Sequence, residues 1–145
     1  MFKKIVVAYD ESPEARRALT IAIDVAEKLK SELRLVTVRE ALPAYLAYVE
    51  GAFPGSQRVL SDQRQLFYEN LQKKAKGMAS ARGIAAEGIV IDGDEIQSLA
   101  DYLESWQADL LVMGRRHHSS ISSRILGSTT HEVAERVRCS ILAVL

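Results

Sequence analysis

Apolar runs of strand length alternate along this chain with longer segments of helical period, and this alternation constrains the fold more than any other feature. The helical segments are long enough to carry the chain back over a sheet between parallel strands. The predicted strands are Lys4–Tyr9, Leu33–Val38, Ile89–Ile91, a fourth that begins at Leu110, and Ile141–Leu145. The sequence therefore predicts an α/β domain with an open, five-stranded, parallel, doubly wound sheet and helices on both faces.

The helical segments carry recognisable start signals and apolar stripes. Ser12 is suited to cap the first helix, and Pro13 is suited to its first turn, where a missing N–H costs nothing. A long helix is predicted over Val59–Arg82, and the last helix covers about Ser128–Arg138. Between them, a helix before the fourth strand places Trp106 on its apolar stripe, which predicts that Trp106 lies in the core.

The pattern breaks between Arg39 and Gln57, where prolines and glycines separate Tyr45, Tyr48 and Phe53. A long loop in a compact domain is often functional, which favours a lid. The aromatic side chains equally suit packing on the domain edge or on a second subunit. The sequence leaves these two interpretations open.

Size and charge limit the classes of protein to which the chain can belong. The 145 residues, 48% of them hydrophobic, suffice for one core, so residues 1–145 are predicted to form a single domain. Basic and acidic residues number 19 each, which argues against a general affinity for nucleic acid or an anionic membrane. No apolar stretch of bilayer length and no signal-peptide pattern occurs, so we expect a cytoplasmic protein. The one cysteine, Cys139, is expected to be a buried small hydrophobic residue.

A doubly wound sheet binds ligands beyond the carboxyl ends of its strands, near the point where strand order reverses. Asp10, Arg39, Asp92 and Asp94 follow the first three predicted strands. These residues are therefore candidates for a site at that edge.

The fourth strand ends in Gly114, and Gly127-Ser128-Thr129-Thr130 opens the last helix. Backbone N–H groups at a helix start, together with the positive end of the helix dipole, bind phosphate groups. The strand, loop and helix are therefore typical of an anion-binding loop. Ser128 is also typical of an ordinary helix cap, and this alternative stays open.

Several segments together resemble the universal stress protein family. Val6–Ser12 is similar to the family's first strand and its aspartate, and Leu35–Val38 to its second strand. Asp109–Gly114 and Ile125–Thr130 match the two ends of its nucleotide-binding motif, and Cys139–Val144 resembles the closing strand, with Ser140 where a proline is common. The resemblance covers the whole chain and implies the Rossmann-like fold of the adenine-nucleotide α-hydrolase type.

The resemblance also implies a ligand and a partner. The ligand is an adenine nucleotide, ATP or AMP with or without Mg²⁺, bound at the loop that follows the fourth strand. The partner is a second copy, because the family resemblance implies a homodimer paired through the last strand, Ile141–Leu145, and an exposed apolar edge suits such pairing. The residues implied for the nucleotide are Ala8, Tyr9, Asp10, Val38, Met113, Gly114, Arg116, His117, Gly127, Ser128, Thr129 and Thr130.

The chain departs from the family motif at its second glycine, where His117 stands. A non-glycine residue in a left-handed conformation costs roughly 1–2 kcal/mol, and a histidine side chain would occupy phosphate space. The basic residues around it would equally attract phosphate. Two hypotheses follow: a nucleotide-binding stress protein, or a dimeric stress or interaction module whose pocket is closed by Arg115–His118.

Catalysis, metal binding and phosphotransfer are less well supported. No nucleophile, base and orienting acid stand at a recognisable spacing, so no enzyme is predicted, with slow nucleotide hydrolysis left open. Adjacent His117 and His118 point in different directions and have no cysteine nearby, which argues against a structural metal site. A phospho-receiver domain would need a lysine after the fifth strand, and no lysine follows Lys76.

Overall fold

The computed structural model describes residues 1–115 and 128–145, with Ser128 described by its backbone alone. The sheet has the strand order β3-β2-β1-β4-β5, and every neighbouring pair is parallel. The predicted doubly wound sheet is therefore confirmed. The elements are β1 (Lys4–Ala8), α1 (Pro13–Leu29), β2 (Glu32–Arg39), α2 (Leu46–Ala52), α3 (Ser56–Ser80), β3 (Ala86–Asp92), α4 (Glu95–Trp106), β4 (Leu110–Gly114), α5 (Ser128–Arg136) and β5 (Ser140–Val144).

Each face of the sheet carries its own apolar layer, because successive side chains of a strand point to opposite faces. Ile5 and Val7 pack with α1 and α3 on one face, whereas Val6 packs with α4 and α5 on the other. Both layers are buried, which explains why the central strands are continuous hydrophobic runs rather than alternating ones. The chain leaves β1 at the centre of the sheet, so strand order reverses between β1 and β4.

The helix start signals act as predicted. The Ser12 hydroxyl accepts a hydrogen bond from the backbone N–H of Ala15 at 3.1 Å, and Pro13 occupies the first helical position of α1. Trp106 packs against the core as predicted, but at its margin. It is only partly buried, and the cations of Lys4 and Arg34 lie over its ring, 5.4 and 4.3 Å from the centroid.

The segment from Arg39 to Gln57 is not one long loop. It contains α2, and α3 begins at Ser56 rather than at Val59. The carboxylate of Glu50 accepts hydrogen bonds from the backbone N–H groups of Gly55 and Gln57, each at 2.8 Å, and from the Ser56 hydroxyl at 2.9 Å. An acidic side chain in α2 thus accepts hydrogen bonds from backbone N–H groups at the start of α3, which lack partners within the helix.

The first 15 residues of α3 lie largely outside the core. Its buried residues are Leu71, Gln72, Ala75 and Ala79, and residues 56–70 include none. This N-terminal part of α3 therefore overhangs the carboxyl end of β2, where Arg64 Nη2 donates to the Glu40 carbonyl. In the part of the chain that the structure describes, no helix is long and apolar enough to cross a bilayer.

Candidate functional site

A cleft of about 530 Å³ opens at the carboxyl ends of β1, β2 and β4. This is the position that doubly wound sheets use for ligands, next to the reversal of strand order. Its floor comes from strand ends, and its sides come from the segment after β2, from α3 and from the first turns of α4 and α5. The lining residues are Ala8, Tyr9, Asp10, Ser12, Ala15, Val36, Thr37, Val38, Glu40, Ala41, Leu42, Pro43, Arg64, Tyr68, Glu95, Leu99, Met113, Gly114, Thr129 and Thr130.

Eight of the residues predicted for a nucleotide line this cleft together. They are Ala8, Tyr9, Asp10, Val38, Met113, Gly114, Thr129 and Thr130. Ser128 begins α5, while Arg116, His117 and Gly127 lie outside the described residues. The strand ends and the helix start are thus brought to one place.

Asp10 is held in a tight turn directly after β1. Its Oδ1 accepts a hydrogen bond from the backbone N–H of Ser12 at 3.1 Å. Between them Glu11 has a φ of 68°, a left-handed conformation that is unfavourable for a residue other than glycine. The Glu11 carboxylate lies 3.6 Å from Arg16 and 3.3 Å from Lys74, so ion pairs accompany the strained turn. Such strain is common where a turn serves a ligand site.

A buried polar chain supports the strand ends beneath the cleft. Gln72 Nε2 donates to Thr37 Oγ1 at 2.8 Å, and the Thr37 hydroxyl donates to the Tyr9 carbonyl at 2.8 Å. Nε2 also lies 3.3 Å from the carbonyl oxygens of Leu35 and Ile89, which fixes the orientation of the amide. These hydrogen bonds link α3 to the ends of β1 and β2.

Tyr9 is a lining residue of the cleft that is itself almost fully buried. Its side chain is buried in the apolar layer beneath α1 and α3. Burial raises the pKa of the phenol, a shift that the nearby Arg16 opposes. The phenol is therefore neutral at pH 7 and is not suited to act as a base.

Gly114 allows β4 and α1 to pack closely at the edge of the cleft. A Cβ at this position would lie 2.6 Å from the backbone carbonyl carbon of Glu14 and 2.7 Å from the nitrogen of Ala15. No side chain fits such a gap. This glycine therefore has a packing role in addition to the ligand role that the family resemblance implies.

The cleft has one end suited to an anion. Thr129 and Thr130 lie in the first turn of α5, where backbone N–H groups and the helix dipole favour negative charge. Thr130 is only 4% exposed although it lines the cleft. The opposite side, beyond β2, is formed by Glu40–Pro43 and by Arg64 and Tyr68 of α3.

Sequence reasoning did not find Arg64 and Tyr68. They are separated by one helical turn, and the same spacing leads from Tyr68 to the buried Gln72. That spacing was the available signal. Nothing in the sequence indicates, however, that this part of α3 overhangs the cleft.

Other predicted residues of this edge have structural partners instead. Arg39 Nη2 donates to Asp92 Oδ2 at 2.9 Å, and this hydrogen bond lowers the pKa of the Asp92 carboxyl. Asp94 caps α4 by accepting from the backbone N–H of Gln97 at 2.9 Å. None of these three residues lines the cleft. Arg115, the described member of the segment Arg115–His118, is not a lining residue either.

No three His, Cys, Asp or Glu side chains within residues 1–115 and 128–145 are arranged to hold a metal ion. The adjacent histidines His117 and His118 lie outside the described residues. Cys139 is partly buried, and this burial raises the pKa of its thiol. The thiol is thus protonated at pH 7, as expected of a small packing residue.

Comparison with known proteins identifies one family. The sequence model of the Universal stress protein family matches residues 1–144. Universal stress protein Sll1388 of Synechocystis is 32% identical over 151 residues, covering 99% of this chain and 97% of the relative. Universal stress protein YxiE of Bacillus subtilis is 27% identical over 147 residues, covering 99% of each.

Solved structures share the fold over nearly the whole chain. A universal stress protein in complex with cAMP is 25% identical, with a TM-score of 0.76 over 99% of this chain and 97% of the other. A universal stress protein from Archaeoglobus fulgidus in complex with dAMP is 19% identical, with a TM-score of 0.66 over 99% and 98%. The second similarity supports the fold alone.

Proposed function

Since this chain belongs to the universal stress protein family, we propose that it binds an adenine nucleotide in the cleft at the carboxyl edge of its sheet. One observation carries the proposal: the ends of β1, β2 and β4 and the first turn of α5 line a single cleft. The ligand named for the relative of 25% identity, cAMP, is an adenine nucleotide. The proposed activity is binding rather than catalysis.

One end of the cleft suits the phosphate of a nucleotide, and the other end suits its adenosine. The start of α5 suits a phosphate, because its N–H groups carry partial positive charge. Asp10 and Val38 then lie towards the adenosine, where a carboxylate accepts hydrogen bonds and an apolar side chain covers a base. AMP and ATP both meet this description, and Mg²⁺ would accompany the longer phosphate chain.

A thermal-shift titration tests the proposal. A ligand that binds only the folded state stabilises it by about 2.7 kcal/mol at a concentration of 100 times its Kd. AMP and ATP, the latter with and without Mg²⁺, should therefore raise the Tm in proportion to the logarithm of their concentration. An unchanged Tm at millimolar concentrations of each would refute nucleotide binding.

The competing hypothesis, a pocket closed by Arg115–His118, depends on residues that lie mostly outside the described chain. A His117→Gly variant separates the two hypotheses, since it restores the glycine of the family motif. If the histidine blocks the pocket, this variant will bind AMP where the natural chain does not. If nucleotide binds despite the histidine, both proteins will bind.

We also propose that the protein is a homodimer paired through β5. This strand forms one edge of the sheet, and among the described residues its only strand partner is β4. Leu142 in this strand is 36% exposed. An apolar edge strand suits pairing with a second copy.

A further inference from the structure

The overhanging half of α3 directs one face towards the cleft. Within residues 61–70 every side chain is exposed except Arg64 and Tyr68, which are partly buried. Both line the cleft, and they continue the stripe on which Gln72, Ala75 and Ala79 pack against the rest of the protein. Arg64 and Tyr68 therefore lie on the face of α3 that packs against the protein further along the helix, and at their positions this face borders the cleft.

The ring of Tyr68 has two defined contacts, with Phe67 and with Arg39. The Phe67 ring packs against it edge-on, with centroids 5.3 Å apart and planes at 81°. The Arg39 guanidinium carbon lies 5.9 Å from its centroid, and Arg39 is itself anchored by Asp92. The ring is thus pre-oriented at the cleft wall, which lowers the entropy cost of packing a ligand against it.

Tyr68 and Arg64 form a wall of the cleft that lies away from its anion end. Tyr68 and Arg64 line the cleft near the end of β2, whereas α5 follows β4, and β1 lies between these two strands. Two strand spacings amount to about 10 Å. This figure is the separation along the sheet alone, since α3 and α5 lie on opposite faces, and it leaves room for a mononucleotide between the two ends of the cleft.

Resting on the proposed function, we propose that Tyr68 is a specificity-determining residue whose ring packs against the nucleobase. The cleft then selects nucleotides over base-free sugar phosphates. The flat guanidinium of Arg64, whose Nη2 donates to the Glu40 carbonyl at 2.5 Å, extends the same wall. Asp10 and Val38, to which the family resemblance assigns the adenosine, do not supply an aromatic surface.

Alanine at position 68 should weaken AMP binding. Contact between a base and an aromatic side chain is worth about 1–3 kcal/mol, which corresponds to a loss of roughly 5-fold to 150-fold in affinity. Ribose 5-phosphate lacks the base, so its affinity should not change. The preference for AMP over ribose 5-phosphate should therefore shrink in the variant.

The experiment compares AMP with ribose 5-phosphate by calorimetric titration of the natural protein, Tyr68→Ala and Leu66→Ala. Leu66 is the matched control, because it is an apolar residue of the same helix, is 58% exposed and does not line the cleft. The Leu66→Ala protein should keep the natural preference. Circular dichroism verifies folding, and Tyr68→Leu replaces the alanine variant if that variant unfolds.

Each outcome decides one question. Equal AMP affinity in the natural and Tyr68→Ala proteins overturns the role of Tyr68 and leaves the proposed function standing. Equal affinity of the natural protein for AMP and ribose 5-phosphate overturns it as well. A natural protein that binds neither compound refutes the proposed function itself.

Discussion

At the scale of single residues, Gly114 both lines the cleft and allows close packing of β4 against α1. It ends β4 at the cleft, and its backbone lies against the first turn of α1 without room for a side chain. The glycine that the family motif places at a nucleotide is thus also required by the helix that packs behind it. A substitution of Gly114 should therefore lower the stability of the protein whether or not a ligand is bound.

Gly114→Ala should lower the free energy of unfolding by about 1–3 kcal/mol, because the added methyl overpacks the contact with Glu14 and Ala15. Gly77→Ala is the matched control. Gly77 lies within α3 with nothing near its missing Cβ, so alanine there should stabilise by roughly 0.5–1 kcal/mol. Urea denaturation measures both changes, and equal effects would contradict the packing role of Gly114.

Gln72 is a second residue whose chemistry is set by burial. It is 7% exposed, and its Nε2 faces two carbonyl oxygens and the Thr37 hydroxyl. Its Oε1 has no hydrogen-bond partner among the described residues. An amide therefore fits where a carboxylate would not.

Gln72→Glu should destabilise the protein by about 3–5 kcal/mol at pH 7, since it buries a charge without a partner. Burial raises the folded-state pKa of this glutamate above its unfolded value of about 4.3. The loss should therefore shrink as pH falls towards 5, and it should grow as pH rises through the folded pKa. Gln72→Met should cost only about 1 kcal/mol at any pH. Urea denaturation across pH measures these differences, and a pH-independent loss in Gln72→Glu would contradict burial of the charge.

At the scale of elements, the α2–α3 pair depends on one carboxylate. Hydrogen bonds from the backbone N–H groups of Gln57 and Gly55 lower the pKa of Glu50. The start of α3 is therefore held by a group that stays ionised well into the acid range. Because the same helix carries Tyr68 and Arg64, this cap also supports the cleft wall.

Acid should weaken the contact between α2 and α3 at a higher pH than the pH at which it unfolds the sheet. With a folded pKa below the unfolded one, the Glu50 contribution is present above about pH 4.3 and is lost as pH falls through the folded pKa. Amide hydrogen exchange over residues 53–60, corrected for intrinsic rates, should accelerate in that range. Glu50→Ala should show the fast exchange already at pH 7, and slow exchange in that variant would contradict the capping role.

At the scale of the whole molecule, β5 and β3 are the edge strands of the sheet that the described residues form. Leu142 and Val144 are two apolar residues of β5 at which a charge could test pairing through this strand. The structure separates them, because Val144 is buried in the apolar layer beneath α1, whereas Leu142 is partly exposed. A charge at Val144 would disrupt folding rather than association.

Leu142→Lys should convert a dimer to a monomer, as measured by light scattering coupled to size exclusion. Leu66→Lys, at an exposed apolar position of α3, should leave the dimer intact. Circular dichroism should show both variants folded. A natural protein that is monomeric at micromolar concentration, or a Leu142→Lys protein that stays dimeric, would contradict pairing through β5.

The succession of strands and most helices along the chain was predictable because each of these elements carries its own periodic signal. Ser12 and Pro13 marked a helix start by local chemistry alone. By contrast, α2 was missed because its seven residues bury no side chain and lie among prolines and glycines. A helix without a buried face leaves no apolar stripe to detect.

The candidate site was predictable where it follows from strand ends and not where it depends on tertiary packing. Asp10 and Val38 reach the cleft because they end parallel strands. Asp92 also follows a strand, yet it pairs with Arg39. The overhang of Tyr68 depends on where α3 crosses the sheet, which a single sequence does not reveal.

An NMR titration of the isotope-labelled protein with AMP shows whether an adenine nucleotide occupies the cleft at the carboxyl edge. We expect saturable shifts of the backbone amides of residues that line the cleft, namely Tyr9, Asp10, Val38, Gly114 and Thr130. The amide of Leu66, outside the cleft, should not move. No shifts at millimolar AMP, or shifts confined to residues away from the cleft, would contradict binding in the cleft.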